Sequence, residues 1–248
     1  LAKIWALEEP SSVSAHSKII EKSLSLGLFD VALSSMKDLK KLGESPNFEI
    51  LAIAMAKSPT DEKKKILAIL EELVASYPND SGLLMTAATF YSQVLSFDKA
   101  LTVINALLRE DVDSKKISLK ARILVGKGEV EKAKDVLRSH LKKNAEDIGV
   151  LVLLAQVLFE QKDFKKAKAQ YQLALELRPN DGALLLALAI ISLEQENDAE
   201  AEKIFERMIR WGLRVDDAYY HLAGIMERKK DFPQSLEYYK KVSRGYGF

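Results

Sequence analysis

Cysteine is absent from the 248 residues. Disulfides, thiol nucleophiles and zinc–thiolate centres are therefore excluded, and the compartment is left open. Glycine and proline are scarce, eleven and six, well under the roughly 12% they reach together in average usage. So few turn formers argue against a many-stranded β fold and for helices. Charge of one sign is also lacking. The 37 Lys and Arg nearly cancel the 36 Asp and Glu, leaving +1, so no global basic footprint for nucleic acid is present. The longest apolar run, Ala183–Ile191, has nine residues, where a membrane-spanning helix needs about 20. No signal peptide opens the chain. Hydrophobic residues still make up 48%, enough for a sizeable core.

What is present is a repeat. Asp163, Asn197 and Asp231 are 34 residues apart, as are Ala167, Ala201 and Ser235, the aromatics Tyr171, Phe205 and Tyr239, and the small residues Ala155, Ala189 and Ala223. Four matching positions in three copies do not arise by chance. The Ala167 position recurs backward at Ala133, Ala100, Ile66 and Ala32, and the Ala155 position at Ala121, Ala87, Ala54 and Ile20. These steps place seven units at 13–46, 47–80, 81–113, 114–147, 148–181, 182–215 and 216–248, preceded by residues 1–12 as the end of another unit. Trp5, Leu7 and Pro10 match Leu175, Leu177 and Pro179.

Each unit reads as two helices. In the fifth, Val150–Gln161 is apolar, Lys162-Asp163 makes the turn, and apolar residues at 164, 167, 171, 174 and 175 follow at helical spacing. Ser58 and Pro59 read as the cap and first residue of a helix in the second unit. The two small positions face each other where the helices cross, and a large residue such as Ile20 or Ile66 stands only opposite a small one. We therefore expect an all-α fold of about fourteen helices.

The 34-residue helix–turn–helix unit, its two small positions, the aromatic four residues after the second and the proline near its end resemble the tetratricopeptide repeat. FKKAKAQYQLALELRPND, 164–181, carries the likeness best. The resemblance implies one right-handed superhelical solenoid over residues 1–248. Its first helices would line a concave groove that binds proteins or peptides. A narrower likeness, in 212–245 and Trp5–Pro10, is to the tetratricopeptide lipoproteins of proteobacterial envelopes. It implies an adaptor for a carboxyl-terminal processing protease, in the periplasm and held to the outer membrane by an N-terminal lipid anchor; the lipid-bearing cysteine is not in this sequence. A cytoplasmic location is the alternative.

Chemistry-bearing constellations are missing. His16, His140 and His221 fall in different units, with no partner at metal-ligand spacing. Gly126-Lys127-Gly128 lacks the strand and the Lys-Ser/Thr of a phosphate loop and lies at an interhelix turn. Recurrent lysine pairs are interleaved with acids and carry no aromatic platforms for RNA. We expect no catalysis, cofactor, metal or nucleic acid.

By the repeat register, the groove is lined by Leu51 and Met55; Leu84, Ala88 and Tyr91; Ser118, Arg122 and Val125; Val152, Gln156 and Phe159; Leu186, Ile190 and Leu193; Tyr220, Gly224 and Glu227. Arg122 is its one cation, so a carboxylate clamp is disfavoured. The first helices of units five and six are apolar nearly all round, which calls for cover on both sides. A protein or peptide partner supplies that cover in the leading reading. A structural or assembly module, or the repeat region of a larger protein, is the alternative. Two further expectations follow. Unit four should open first, because Lys120 and His140 occupy positions that are apolar or Thr elsewhere and its turn holds two glycines. The start inside a helix and the end at Gly247-Phe248 suggest a window from a longer array, associating end to end.

Overall fold

The computed structural model describes residues 9–242. Among them are fourteen α-helices and no strand, as expected for an all-α chain. Trp5, Leu7, Gly247 and Phe248 lie outside the described residues. The chain divides into two compact units, 1–133 and 134–248, and the division falls within one helix.

The first unit holds α1 (Val13–Ser25), α2 (Phe29–Lys41), α3 (Glu49–Ala54), α4 (Thr60–Ser76), α5 (Ser81–Gln93), α6 (Phe97–Glu110), α7 (Ser114–Gly126) and the start of α8 (Val130–Leu141). Its core joins Leu33 and Met36 of α2, Leu51 of α3 with Met55, Leu70 and Leu73 of α4, and Leu83 and Phe90 of α5. A second cluster ties Ala100, Ile104 and Leu107 of α6 to Ile123 of α7.

The second unit holds the rest of α8, then α9 (Ile148–Glu160), α10 (Phe164–Leu177), α11 (Gly182–Glu194), α12 (Asp198–Arg210), α13 (Val215–Arg228) and α14 (Phe232–Tyr239). From α9 onward each helix packs on the next. Its core runs from Leu185 and Ala189 through Ala201, Phe205 and Met208 to Ala218, Leu222 and Ile225.

Two local devices recur with the repeat. Aspartates cap the first helices: Asp80 accepts from Leu83 N (2.9 Å), Asp113 from Lys116 N (2.8 Å), Asp147 from Val150 N (3.1 Å) and Asp181 from Leu184 N (3.2 Å). Each satisfies a backbone N–H that the first turn leaves without a partner. The turns inside the repeats reverse through one left-handed residue: Gly27, Leu95, Gly128, Lys162, Glu196 and Lys230. The next N–H then closes back on the helix, as in Ser96 N to Tyr91 O and Asn197 N to Ser192 O, both 2.8 Å.

The second repeat departs from the expected register. Helix α3 has only six residues. Ala54, expected opposite Ile66, is exposed, whereas Leu51, Met55 and Ile66 are buried. Leu51 and Met55 are thus core residues and do not line a groove. Ala88 is likewise fully buried. Helix α4 begins at Thr60, with Pro59 as its cap residue and no side-chain cap from Ser58. Lys63, buried here, donates from Nζ to the Ala56 carbonyl (2.8 Å), which satisfies an end-of-helix oxygen that a longer α3 would have used itself. The other paired small positions, from Ala87 and Ala100 to Ala223 and Ser235, are all buried.

Candidate partner-binding surface

In the first unit, Leu84 and Tyr91 of α5 are half-buried and Arg122 of α7 is exposed. Tyr91 is tied down: its hydroxyl donates to Glu71 Oε1 (2.6 Å) and the Lys99 ammonium lies over its ring at 5.2 Å. Burial and the adjacent Glu71 carboxylate push the phenol up to about 12.

In the second unit, helix α9 buries Val150, Leu151, Leu153, Leu154, Ala155, Val157 and Leu158. Val152 and Phe159 are half-buried and Gln156 is exposed. Phe159 meets Phe164 across the turn, centroids 5.4 Å apart, so part of its ring is spent within its own repeat. Helix α11 buries Leu184, Leu185, Leu188, Ala189, Ile191 and Ser192; Leu186, Ile190 and Leu193 are half-buried. Apolar surface is thus left over on both helices.

On α13, Tyr220 is 45% exposed. It meets Tyr239 of α14 edge-on at 6.0 Å, and the Tyr239 hydroxyl donates to Glu227 Oε2 (3.4 Å). Burial and Glu227 hold the Tyr239 phenol above its ordinary value. Tyr220, Tyr239 and exposed Glu227 therefore form one aromatic and acidic patch. Sequence reading took Tyr239 only as the repeat aromatic and missed this pairing. Nearby, Lys241 lies over the rings of Tyr219 (5.3 Å) and Tyr238 (5.6 Å).

The three histidines serve packing. His16 Nε2 lies 3.0 Å from the Pro10 carbonyl, and the ring of His221 stacks on Phe205 at 5.3 Å. His140 contacts Asp147. Among the described residues no group of three or more His, Asp or Glu is placed to hold a metal ion. No helix among them is long and apolar enough to cross a membrane. Gly126 ends α7 against the ring of Phe97, and Gly128 is the left-handed turn residue at φ +88°. The phosphate-loop alternative has no loop to occupy.

The family description "Tetratricopeptide repeat" matches residues 158–224. That stretch is similar to tetratricopeptide repeats. A second description, "Anaphase-promoting complex, cyclosome, subunit 3", matches residues 93–174. A curated relative, the TPR repeat-containing protein PA4667 of Pseudomonas aeruginosa, is 32% identical over 99% of this chain; the chain spans 42% of that relative's length. A crystal structure of a tetratricopeptide repeat protein from Parabacteroides merdae superposes with a TM-score of 0.58 over 94% of both chains at 16% identity. MamA superposes with 0.53 over 62% of this chain and 91% of its own, also at 16% identity. Both structures speak to the fold alone.

Proposed function

We propose that this chain is a non-catalytic scaffold that binds a protein or peptide partner through the first helices of its repeats. In the second unit the contacts are Val152, Gln156 and Phe159 of α9, Leu186, Ile190 and Leu193 of α11, and Tyr220 and Glu227 of α13. Leu84, Tyr91 and Arg122 are the contact points in the first unit. The observation that carries the reading is α11: thirteen residues, almost all apolar, that leave Leu186, Ile190 and Leu193 incompletely covered. Uncovered apolar surface of this kind marks interaction sites, and tetratricopeptide repeats generally act as protein-interaction scaffolds.

The finer reading is an adaptor for a processing protease in a bacterial envelope. Its support is the likeness of 212–245 to envelope lipoproteins and the identity with a Pseudomonas aeruginosa protein whose name states only the repeat. A second reading, an assembly module, is favoured by α14, where Phe232 and Leu236 are 64% and 55% exposed one turn apart and would suit a second copy.

The test is affinity capture from the source organism with parent, Ile190→Glu and Tyr171→Ala proteins, each with its melting temperature. Ile190→Glu should melt near the parent and lose the partner. Tyr171 is 7% exposed, so Tyr171→Ala should lose stability first. Retention of the same partner by Ile190→Glu would overturn the groove reading.

A further inference from the structure

A cleft of ≈ 400 Å³ opens on the other side of α9, between the second helices α8 and α10. Leu154 and Leu158 of α9 form its floor, with Leu141 and Ala169 beside them; Arg138 and Lys142 at the end of α8 and Lys166 of α10 stand at its rim. Leu154 and Leu158 are two residues on from Val152 and Gln156, about 200° around the helix. The cleft is therefore separate from the surface proposed above and does not rest on that reading.

The lining has apolar side chains, three cations and the amide of Gln170, with no carboxylate. Arg138 pairs with Asp135 (3.6 Å) and Lys166 with Asp163 (2.6 Å), both i,i+3 pairs, with Asp135 exposed and Asp163 half-buried. Ion pairs at the surface are worth little, about 0–1 kcal/mol. Lys142 is exposed and has no ion pair among the described residues. An apolar floor within a cationic rim has the complementarity of a ligand that is apolar at its centre and anionic at its flanks. The volume falls in the range of ligand-sized clefts, roughly 300–1,000 Å³. That is room for a large side chain with part of its backbone.

We propose that this cleft binds an acidic peptide segment that inserts one large apolar side chain over Leu154 and Leu158 and sets its carboxylates against Arg138, Lys142 and Lys166.

The test uses the whole chain and a short fluorescent peptide in which a leucine–phenylalanine pair is flanked by glutamates. Two companion peptides replace the apolar pair by serines or the glutamates by lysines. Anisotropy is read at low and raised salt. The glutamate–apolar peptide should bind and weaken as salt rises, while both companions bind at least about tenfold more weakly. Ala169 is exposed, so Ala169→Glu places a carboxylate in the cleft without crowding the core. It and Lys142→Glu should each lower affinity about tenfold with an unchanged circular-dichroism melt. Gln195→Glu, exposed at the end of α11 outside the cleft, carries the same charge change as Ala169→Glu and should bind like the parent. Equal loss in Gln195→Glu would make the effect one of net charge and overturn the proposal. So would unchanged binding by Ala169→Glu, equal binding of the serine peptide, or binding of laurate where the acidic peptide does not bind.

Discussion

His140 Nε2 lies 2.8 Å from Asp147 Oδ2, and the other carboxylate oxygen of Asp147 caps α9 at Val150 N. A carboxylate only accepts, so the imidazole N–H donates. Both side chains are largely buried, 5% and 13% exposed. His140 therefore fixes the cap that starts the next repeat. Its polarity, read from the sequence as a packing defect of unit four, is used. We expect His140→Leu, which restores an apolar residue, to destabilise the protein by about 1–2 kcal/mol, the range for a buried hydrogen bond left half-made. Chemical denaturation measures it; a gain in stability would return His140 to the status of a defect.

The left-handed turns offer a prediction of opposite sign. Leu95 sits at φ +62° and is 71% exposed, where Gly27 and Gly128 occupy the same place in other repeats. A side chain in this conformation costs about 1–2 kcal/mol, and glycine returns part of it as unfolded-chain entropy. Leu95→Gly should stabilise by about 0.5–1 kcal/mol in thermal or denaturant unfolding. Destabilisation would show that Leu95 makes contacts its exposure does not suggest.

Close crossing of paired helices can be probed at Ala167. It and Ala155 have no exposed surface. Ala167→Leu should cost roughly 1–3 kcal/mol by overpacking. The same change at Ala54, exposed in the shortened α3, should cost far less. Equal costs would mean that Ala54 is in the register the sequence suggested.

Acid should weaken the fold in two stages. Burial holds His221 below its ordinary 6.5, so the unfolded chain binds a proton first and stability begins to fall as pH drops through that value. The Lys168 ammonium, 2.6 Å away, holds Glu200 below the usual carboxylate range. Asp80 is also held low: burial pushes it up, but Lys40 and the Leu83 N–H outweigh that. These carboxylates contribute stability above their unfolded values that is lost as pH falls through the lower folded ones. His221→Phe, which keeps a ring against Phe205, should flatten the first stage between about pH 7 and 5 and leave the second. Melting temperatures across that range decide it; an unchanged first stage would place the proton elsewhere.

The fold was legible because a 34-residue period is written in small residues. Ala155, Ala167, Ala189 and Ala201 mark crossings that tolerate little else. The register failed at Ala54, where α3 stops after one and a half turns and Lys63 completes its end; nothing in a period reports a helix cut short. Leu51, Met55 and Ala88 were misplaced for a related reason. An all-round apolar helix does not say which of its sides is outermost. His140 was misread because its partner lies beyond the helix it belongs to. The cleft at Leu154 and Leu158 was invisible in sequence, since it needs α8 and α10 side by side with α9 beneath.

The central claim is that the partner meets the first helices of the repeats. The most direct measurement places a photocrosslinking residue singly at Gln156, at Tyr220 and at Gln172, three exposed positions, in the source organism. The account expects the same partner adduct from Gln156 on α9 and Tyr220 on α13, and none from Gln172 on the second helix α10. Adducts from Gln172 with none from Gln156 or Tyr220 would contradict it.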